Sequence, residues 1–253
     1  MHLRRRVALS LPLLLATLPL RAQVTSRAVQ VGRVSGEFFV PAKVPAPAIF
    51  VLHTAFGRAG PSDIAMAKTL ATAGFVAFAI NYPLSPNRDW VPLYLEWMKA
   101  QPEAAGQPLG AVGFSAGGGR VFDFAAADPR VKAVVCYYGT YDNKVSPIAN
   151  LRNGPNTGPI GFVDRIGAAA LLMHGSRDTE VPPESIERMK LALQAKGLPA
   201  EVVIYPGAYH NFDRGSEAGN GDRTNNGTLV AYDGAAAKDA QARTIAWFKT
   251  YLK

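Results

Sequence analysis

The run Ala111-Val112-Gly113-Phe114-Ser115-Ala116-Gly117-Gly118-Gly119 constrains this chain more than any other stretch. Leu109 to Phe114 is continuously apolar and reads as a buried strand; from Ala116 on, with Val121, Phe124 and Ala125, the pattern reads as a helix. Between them lies Gly-x-Ser-x-Gly, the spacing of a nucleophile elbow. A serine on so sharp a strand-to-helix turn sits in strained backbone, so its neighbours two positions away must be small. Gly113 and Gly117 meet that demand, and Gly118 permits close packing of the helix on the strand. The helix start also aims its N–H groups and positive dipole end at any negative charge that forms beside the serine. The competing explanation is a glycine-rich turn that carries an incidental serine, so the rest of the chain must decide.

Around this stretch, apolar strands alternate with amphipathic helices. Val29–Val34 and Glu37–Val40 suggest an opening hairpin with Gly36 between the runs. Ala48–His53 and Phe75–Ile80 read as strands covered on both faces, joined by a helix that Ser62 or Asp63 can cap. A short helix over Pro92–Ala100 precedes the elbow strand, and further strands are expected at Val131–Tyr138, Ala168–His174 and Glu201–Tyr205. Helices are expected at Pro183–Lys196 and Ala235–Leu252. This order predicts one α/β domain over residues 23–253: a doubly wound, mostly parallel sheet with helices on both faces. Gly139 to Gly167 is too long and too rich in Gly, Pro and Asn for an ordinary connection. It is expected to be either a rim or lid over the site, or a surface insertion.

Composition narrows the function classes. Residues 1–22 combine Arg4-Arg5-Arg6 with an apolar stretch, Val7 to Leu20, broken by Pro12 and Pro19. At about 14 residues that stretch is short for a membrane span, and it reads as a signal peptide with a cleavage point near Ala22. The expected location is therefore the periplasm or the medium, by a general or a twin-arginine route. Residues 1–22 hold four arginines and no acid, so without them the net charge falls from +8 to +4. The remaining bases are scattered, which gives no support to nucleic-acid binding. No G-x-G-x-x-G opens a βαβ unit and no His/Cys spacing suits a metal, so neither cofactor nor metal is expected. The lone cysteine, Cys136, lies in an apolar run and is expected to be a buried thiol.

In doubly wound sheets, sites form at the carboxyl ends of the strands. A serine nucleophile needs a base, and the base needs a carboxylate to orient it. Beyond residue 22 there are three histidines: His53, His174 and His210. His210, in Tyr205-Pro206-Gly207-Ala208-Tyr209-His210-Asn211-Phe212, belongs to no periodic apolar face and is the expected base. His53 and His174 end strands and are expected to serve packing and turn geometry. For the carboxylate, Asp178 is favoured over Asp142 by its place in a Ser…Asp…His order, and Glu180 is expected to be solvated. Phe56, Tyr82, Trp90 and the 139–167 segment are expected to line an apolar pocket.

The order Ser115…Asp178…His210, with G-F-S-A-G, H-G-S-R-D-T-E-V-P and Y-P-G-A-Y-H-N-F, resembles the α/β-hydrolases, and more narrowly the dienelactone hydrolase family. The likeness runs from about Ala48 to the C-terminus. It implies an oxyanion hole formed by the backbone N–H groups of Ala55 and Ala116. It also implies a role for Arg214 in binding a substrate carboxylate; the family's second arginine has no match in register, although Arg88 is nearby. Where dienelactone hydrolase itself carries a cysteine nucleophile and a glutamate in the oxyanion loop, this chain carries Ser115 and Thr54. That exchange implies serine–histidine base catalysis in place of a primed thiolate. The expected activity is hydrolysis of a small-molecule ester, thioester or lactone by an exported serine hydrolase. The alternative is a catalytically silent fold of the same kind used for binding. A peptidase is a third option, although no added propeller or large lid is evident to select peptides.

Overall fold

The computed structural model describes residues 23–54, 57–85, 87–142, 158–181, 183–215, 223–225 and 228–253. The expected signal segment, residues 1–22, lies outside them, as do Ala55, Phe56 and residues 143–157 of the expected lid. The chain opens with β1 (Thr25–Val31), β2 (Val34–Val40) and β3 (Ala48–Leu52). Then come α1 (Pro61–Thr72), β4 (Val76–Ile80), α2 (Val91–Lys99), β5 (Leu109–Phe114), α3 (Ala116–Ala127) and β6 (Val131–Tyr137). Beyond residue 157 follow β7 (Ala169–Gly175), α4 (Pro183–Ala195), β8 (Ala200–Tyr205), a small ribbon β9 (Arg223–Asn225) and β10 (Thr228–Val230), and α5 (Gly234–Tyr251).

Eight strands form one sheet in the order β1-β2-β4-β3-β5-β6-β7-β8, parallel from β4 through β8, with β1 and β2 antiparallel at one edge. The doubly wound sheet expected from the alternation is the one that forms. Strand periodicity divides its side chains between two cores. Phe50, Leu52, Phe78, Val134 and Leu172 face the side that includes Val121 and Phe124 of α3 and Met189 of α4. Ile49, Val51, Val112, Val135 and Leu171 face the side that includes Met66 and Leu70 of α1 and Phe248 of α5. All ten of these strand residues are essentially excluded from solvent, and full burial of each larger aliphatic or aromatic side chain contributes about 1.5–3 kcal/mol.

The first turn departs from the sequence expectation. The β1–β2 turn falls at Gly32-Arg33, where Gly32 adopts φ +58°, while Gly36 lies inside β2. Gly36 is there because β2 passes so close to β4 that a Cβ would stand 2.1 Å from the Ala79 carbonyl oxygen. The α1 cap also shifts. Pro61 is the first helical residue, Gly60 is the cap, and Asp63 accepts a hydrogen bond from the Gly60 N–H at 2.8 Å. Asp233 caps α5 by accepting from the N–H groups of Ala235 and Ala236, each at 3.0 Å. Part of the expected rim, Pro159–Arg165, is a short 3₁₀ segment with a kink at Phe162. Cys136 is buried, and burial pushes its thiol well above the ordinary range. Among the described residues no helix is long and apolar enough to cross a membrane.

Candidate active site

The elbow is built by backbone collisions that only glycine avoids. Ser115 sits at φ +51°, ψ −111° between β5 and α3, a conformation costing on the order of 1–3 kcal/mol for a residue with a side chain. A Cβ at Gly113 would lie 2.1 Å from the Gly117 carbonyl oxygen; one at Gly117 would lie 2.4 Å from that of Leu52. A Cβ at Gly118 would come within 2.8 Å of the Gly139 Cα. Two backbone bonds fix the turn: Ser115 N–H to Tyr137 O at 2.9 Å, and Gly118 N–H to Ser115 O at 3.0 Å. Gly117→Ala is therefore expected to lower the melting temperature sharply or to prevent folding. A soluble variant with an unchanged melting temperature would refute this account of the turn.

The loops after β7 and β8 are stapled to each other. Ser176 N–H donates to Tyr205 O and Arg177 N–H to Ala208 O, each at 2.9 Å, and Gly207 N–H donates to Ser176 Oγ at 2.8 Å. Gly175 allows the approach, since a Cβ there would lie 2.3 Å from Ala208 O. The staple brings together residues that are distant in sequence. His210 Nδ1 lies 2.7 Å from Asp178 Oδ2, and His210 Nε2 lies 3.0 Å from Ser115 Oγ. All three residues are buried.

Asp178 also accepts from the backbone N–H groups of Glu180 at 2.8 Å and Val181 at 3.0 Å. Burial by itself pushes its carboxyl up, but His210, His174 and the Val181 N–H outweigh burial and hold it below the ordinary carboxylate range. It therefore stays ionised and accepts the Nδ1 proton, which leaves Nε2 as the acceptor facing Ser115.

The other histidines pack, as their strand-end positions suggest. His53 is wholly buried and stacks on Tyr82 at 4.0 Å, with its Nε2 accepting from the Tyr82 N–H at 3.3 Å. His174 donates Nε2–H to Val181 O at 2.9 Å and lies 3.5 Å from Asp178 Oδ2. Burial pushes both imidazoles below their usual range, so they are held neutral. Asp142 pairs with Arg188 at 2.9 Å.

Four expectations change. Tyr82 and Trp90 do not line an open pocket: each is 1 % exposed, and they stack on each other at 4.8 Å within the core. Aromatic area of that size finds more contact there than at a rim. Arg214 lies inside the fold rather than open to a substrate. It is buried, its guanidinium lies 2.7 Å from Asp63 Oδ1 and sits 4.4 Å above the Phe114 ring, and its Nε donates to the Tyr138 hydroxyl at 3.3 Å. A carboxylate within the fold already meets the cation expected to meet a substrate carboxylate. Tyr138 in turn donates a short hydrogen bond to Asp213. Finally, Glu180 is not solvated but 7 % exposed, with Oε2 at 3.5 Å from His210 Nε2. The available clue was its place two residues beyond Asp178 in one tight turn, which sends both side chains to the same sheet edge.

Ala116 is the first residue of α3, so its N–H has no acceptor within the helix and faces the elbow. The second expected donor, Ala55, and the expected lining residue Phe56 lie outside the described residues. A cavity of about 430 Å³ between the N-termini of α1 and α5 is lined by Ser62, Tyr232 and Lys238 and reaches Asp213 and Arg214, but neither Ser115 nor His210. Among the described residues no cluster of His, Cys, Asp or Glu is arranged to hold a metal ion.

A doubly wound sheet with a serine elbow after β5, an acid loop after β7 and a histidine loop after β8 is an α/β-hydrolase fold. A crystal structure of a putative dienelactone hydrolase from Klebsiella pneumoniae superposes with a TM-score of 0.72 at 21% identity, covering 90% of this chain and 100% of that one. Thermogutta terrifontis esterase 2 superposes at 0.67 and 17% identity, covering 90% and 94%. The model of the dienelactone hydrolase family matches residues 91–252, and the chain belongs to that family. A putative carboxymethylenebutenolidase of Escherichia coli K12 is 32% identical over 196 residues, 78% of this chain and 64% of that protein. Its Salmonella typhimurium LT2 counterpart is 31% identical over the same span. The chain thus covers about 64% of the length of these relatives.

Proposed function

We propose that this chain is a serine hydrolase cleaving carboxylic ester, thioester or lactone bonds through an acyl-enzyme on Ser115. The observation that carries the reading is the relay of Ser115 Oγ, His210 Nε2 at 3.0 Å and Asp178 on Nδ1 at 2.7 Å. Ser115 Oγ attacks the acyl carbon while its proton passes to Nε2. Collapse of the tetrahedral intermediate breaks the bond to the leaving oxygen or sulfur, which takes the proton from Nε2. Water then attacks the acyl carbon, gives a proton to Nε2, and the Ser115 Oγ–acyl bond breaks as that proton returns to Oγ. The Asp178 carboxylate holds the imidazole tautomer and stabilises the imidazolium formed in each half. Ala116 N–H supports the oxyanion, with Ala55 N–H as the second donor that family membership implies. Each such donor contributes on the order of 100- to 1000-fold to turnover.

The test is covalent labelling. A fluorophosphonate probe is expected to leave one phosphonyl adduct on Ser115, located by peptide mass spectrometry, and none on a His210→Ala variant under the same conditions. Failure of the folded wild-type chain to label at Ser115 would refute the reading. A panel of neutral esters, thioesters and lactones of graded size would then define the substrate class.

A further inference from the structure

The imidazole of His210 lies between two carboxylates, and the relay accounts for one of them. Asp178 is 2.7 Å from Nδ1, while Glu180 Oε2 is 3.5 Å from Nε2, the nitrogen that also faces Ser115 Oγ at 3.0 Å. Glu180 is buried, and its own backbone N–H donates to Asp178 at 2.8 Å, so one turn carries both carboxylates. We propose that Glu180 is a further catalytic residue, a second hydrogen-bond acceptor for His210 Nε2–H whenever the imidazole carries its extra proton. The inference rests on the reading of His210 as the base.

The two protonation states favour different partners. Neutral imidazole, its Nδ1–H given to Asp178, presents a lone pair at Nε2; that lone pair accepts the Ser115 hydroxyl and offers nothing to a carboxylate. Once Nε2 is protonated the preference reverses, because a carboxylate is a stronger acceptor than a hydroxyl oxygen. Glu180 thereby stabilises the imidazolium, both in the resting enzyme at acid pH and transiently after Ser115 gives up its proton. No proton moves to Glu180: the one on Nε2 comes from Ser115 or water and leaves to the departing group or back to Ser115. Among the described residues, the other groups facing His210 include His174, which reaches it through Asp178, and the Tyr138 ring at 4.6 Å. The Tyr138 hydroxyl bonds Asp213 and Arg214, and the Arg214 cation is offset by Asp63 at 2.7 Å.

Glu180→Gln keeps the size of the side chain and removes its charge. The acid limb of its kcat/KM profile on a neutral p-nitrophenyl ester is expected to move by about one pH unit toward lower pH. The variant would then keep a larger share of its plateau activity in acid. A merely structural role would lower the whole profile without moving the midpoint, and an unmoved midpoint in a folded, Ser115-dependent variant overturns the proposal. Should the glutamine variant fail to fold, Glu180→Asp draws the carboxylate back by one methylene and is expected to shift the limb the same way. The His210 Cε1 proton resonance, titrated in a Ser115→Ala background with and without Glu180→Gln, reads the same contact without turnover. An unmoved resonance midpoint sinks the role of Glu180. Absence of hydrolysis from the wild type sinks the serine-hydrolase reading instead and leaves the titration to be read.

Discussion

In a Ser115→Ala variant, hydrolysis of short p-nitrophenyl esters is expected to fall by on the order of a million-fold, because members of such a triad act as a unit. Stability should scarcely change. Alanine can occupy the same strained elbow, and the lost hydroxyl contact with His210 contributes only about 1 kcal/mol. The measurements are steady-state turnover beside a thermal melt followed by circular dichroism. Wild-type turnover in the variant would assign the chemistry to some other group, whereas loss of turnover with loss of fold would leave the serine's role undecided and require Ser115→Gly.

Arg214→Met is expected to lower stability by about 3–5 kcal/mol, since it leaves Asp63, itself 1 % exposed, as a buried charge without its cation. For a chain of this length that corresponds to a fall in melting temperature of roughly 10 °C. A second change, Asp63→Asn, removes the orphaned charge while keeping an acceptor for the Gly60 N–H. The double variant should recover a good part of the loss, which a calorimetric double-mutant cycle would measure as coupling between the two sites. The outcome separates two roles for this arginine. A residue held ready for a substrate carboxylate would leave the melting temperature nearly unchanged and raise KM for anionic esters alone. The Asp63 ion pair, the Phe114 ring and the Tyr138 hydroxyl all argue for a structural tie between α1 and the histidine loop.

Much of the architecture was legible because it depends on local rules. Apolar runs without alternation mark strands covered on both faces, and Gly-x-Ser-x-Gly marks a turn whose collisions only glycine avoids; both are properties of a few neighbouring residues. The β1–β2 turn was misread for the opposite reason. Gly36 looks like turn punctuation, yet it answers to the Ala79 carbonyl of a strand more than forty residues away.

Charge partners followed the same division. Nothing near Arg214 in the sequence points to Asp63. Glu180 looked solvated because acidic residues in turns usually are, whereas the staple between the loops after β7 and β8 encloses it against His210. The sequence by itself determined the alternation of the main strands and helices, the elbow, and three residues that the fold brings into hydrogen-bond contact. Only the tertiary structure decided which carboxylate meets which cation and which aromatic rings are sealed in the core. Those contacts join segments far apart along the chain, and their energies depend on distance and burial, which no local pattern encodes.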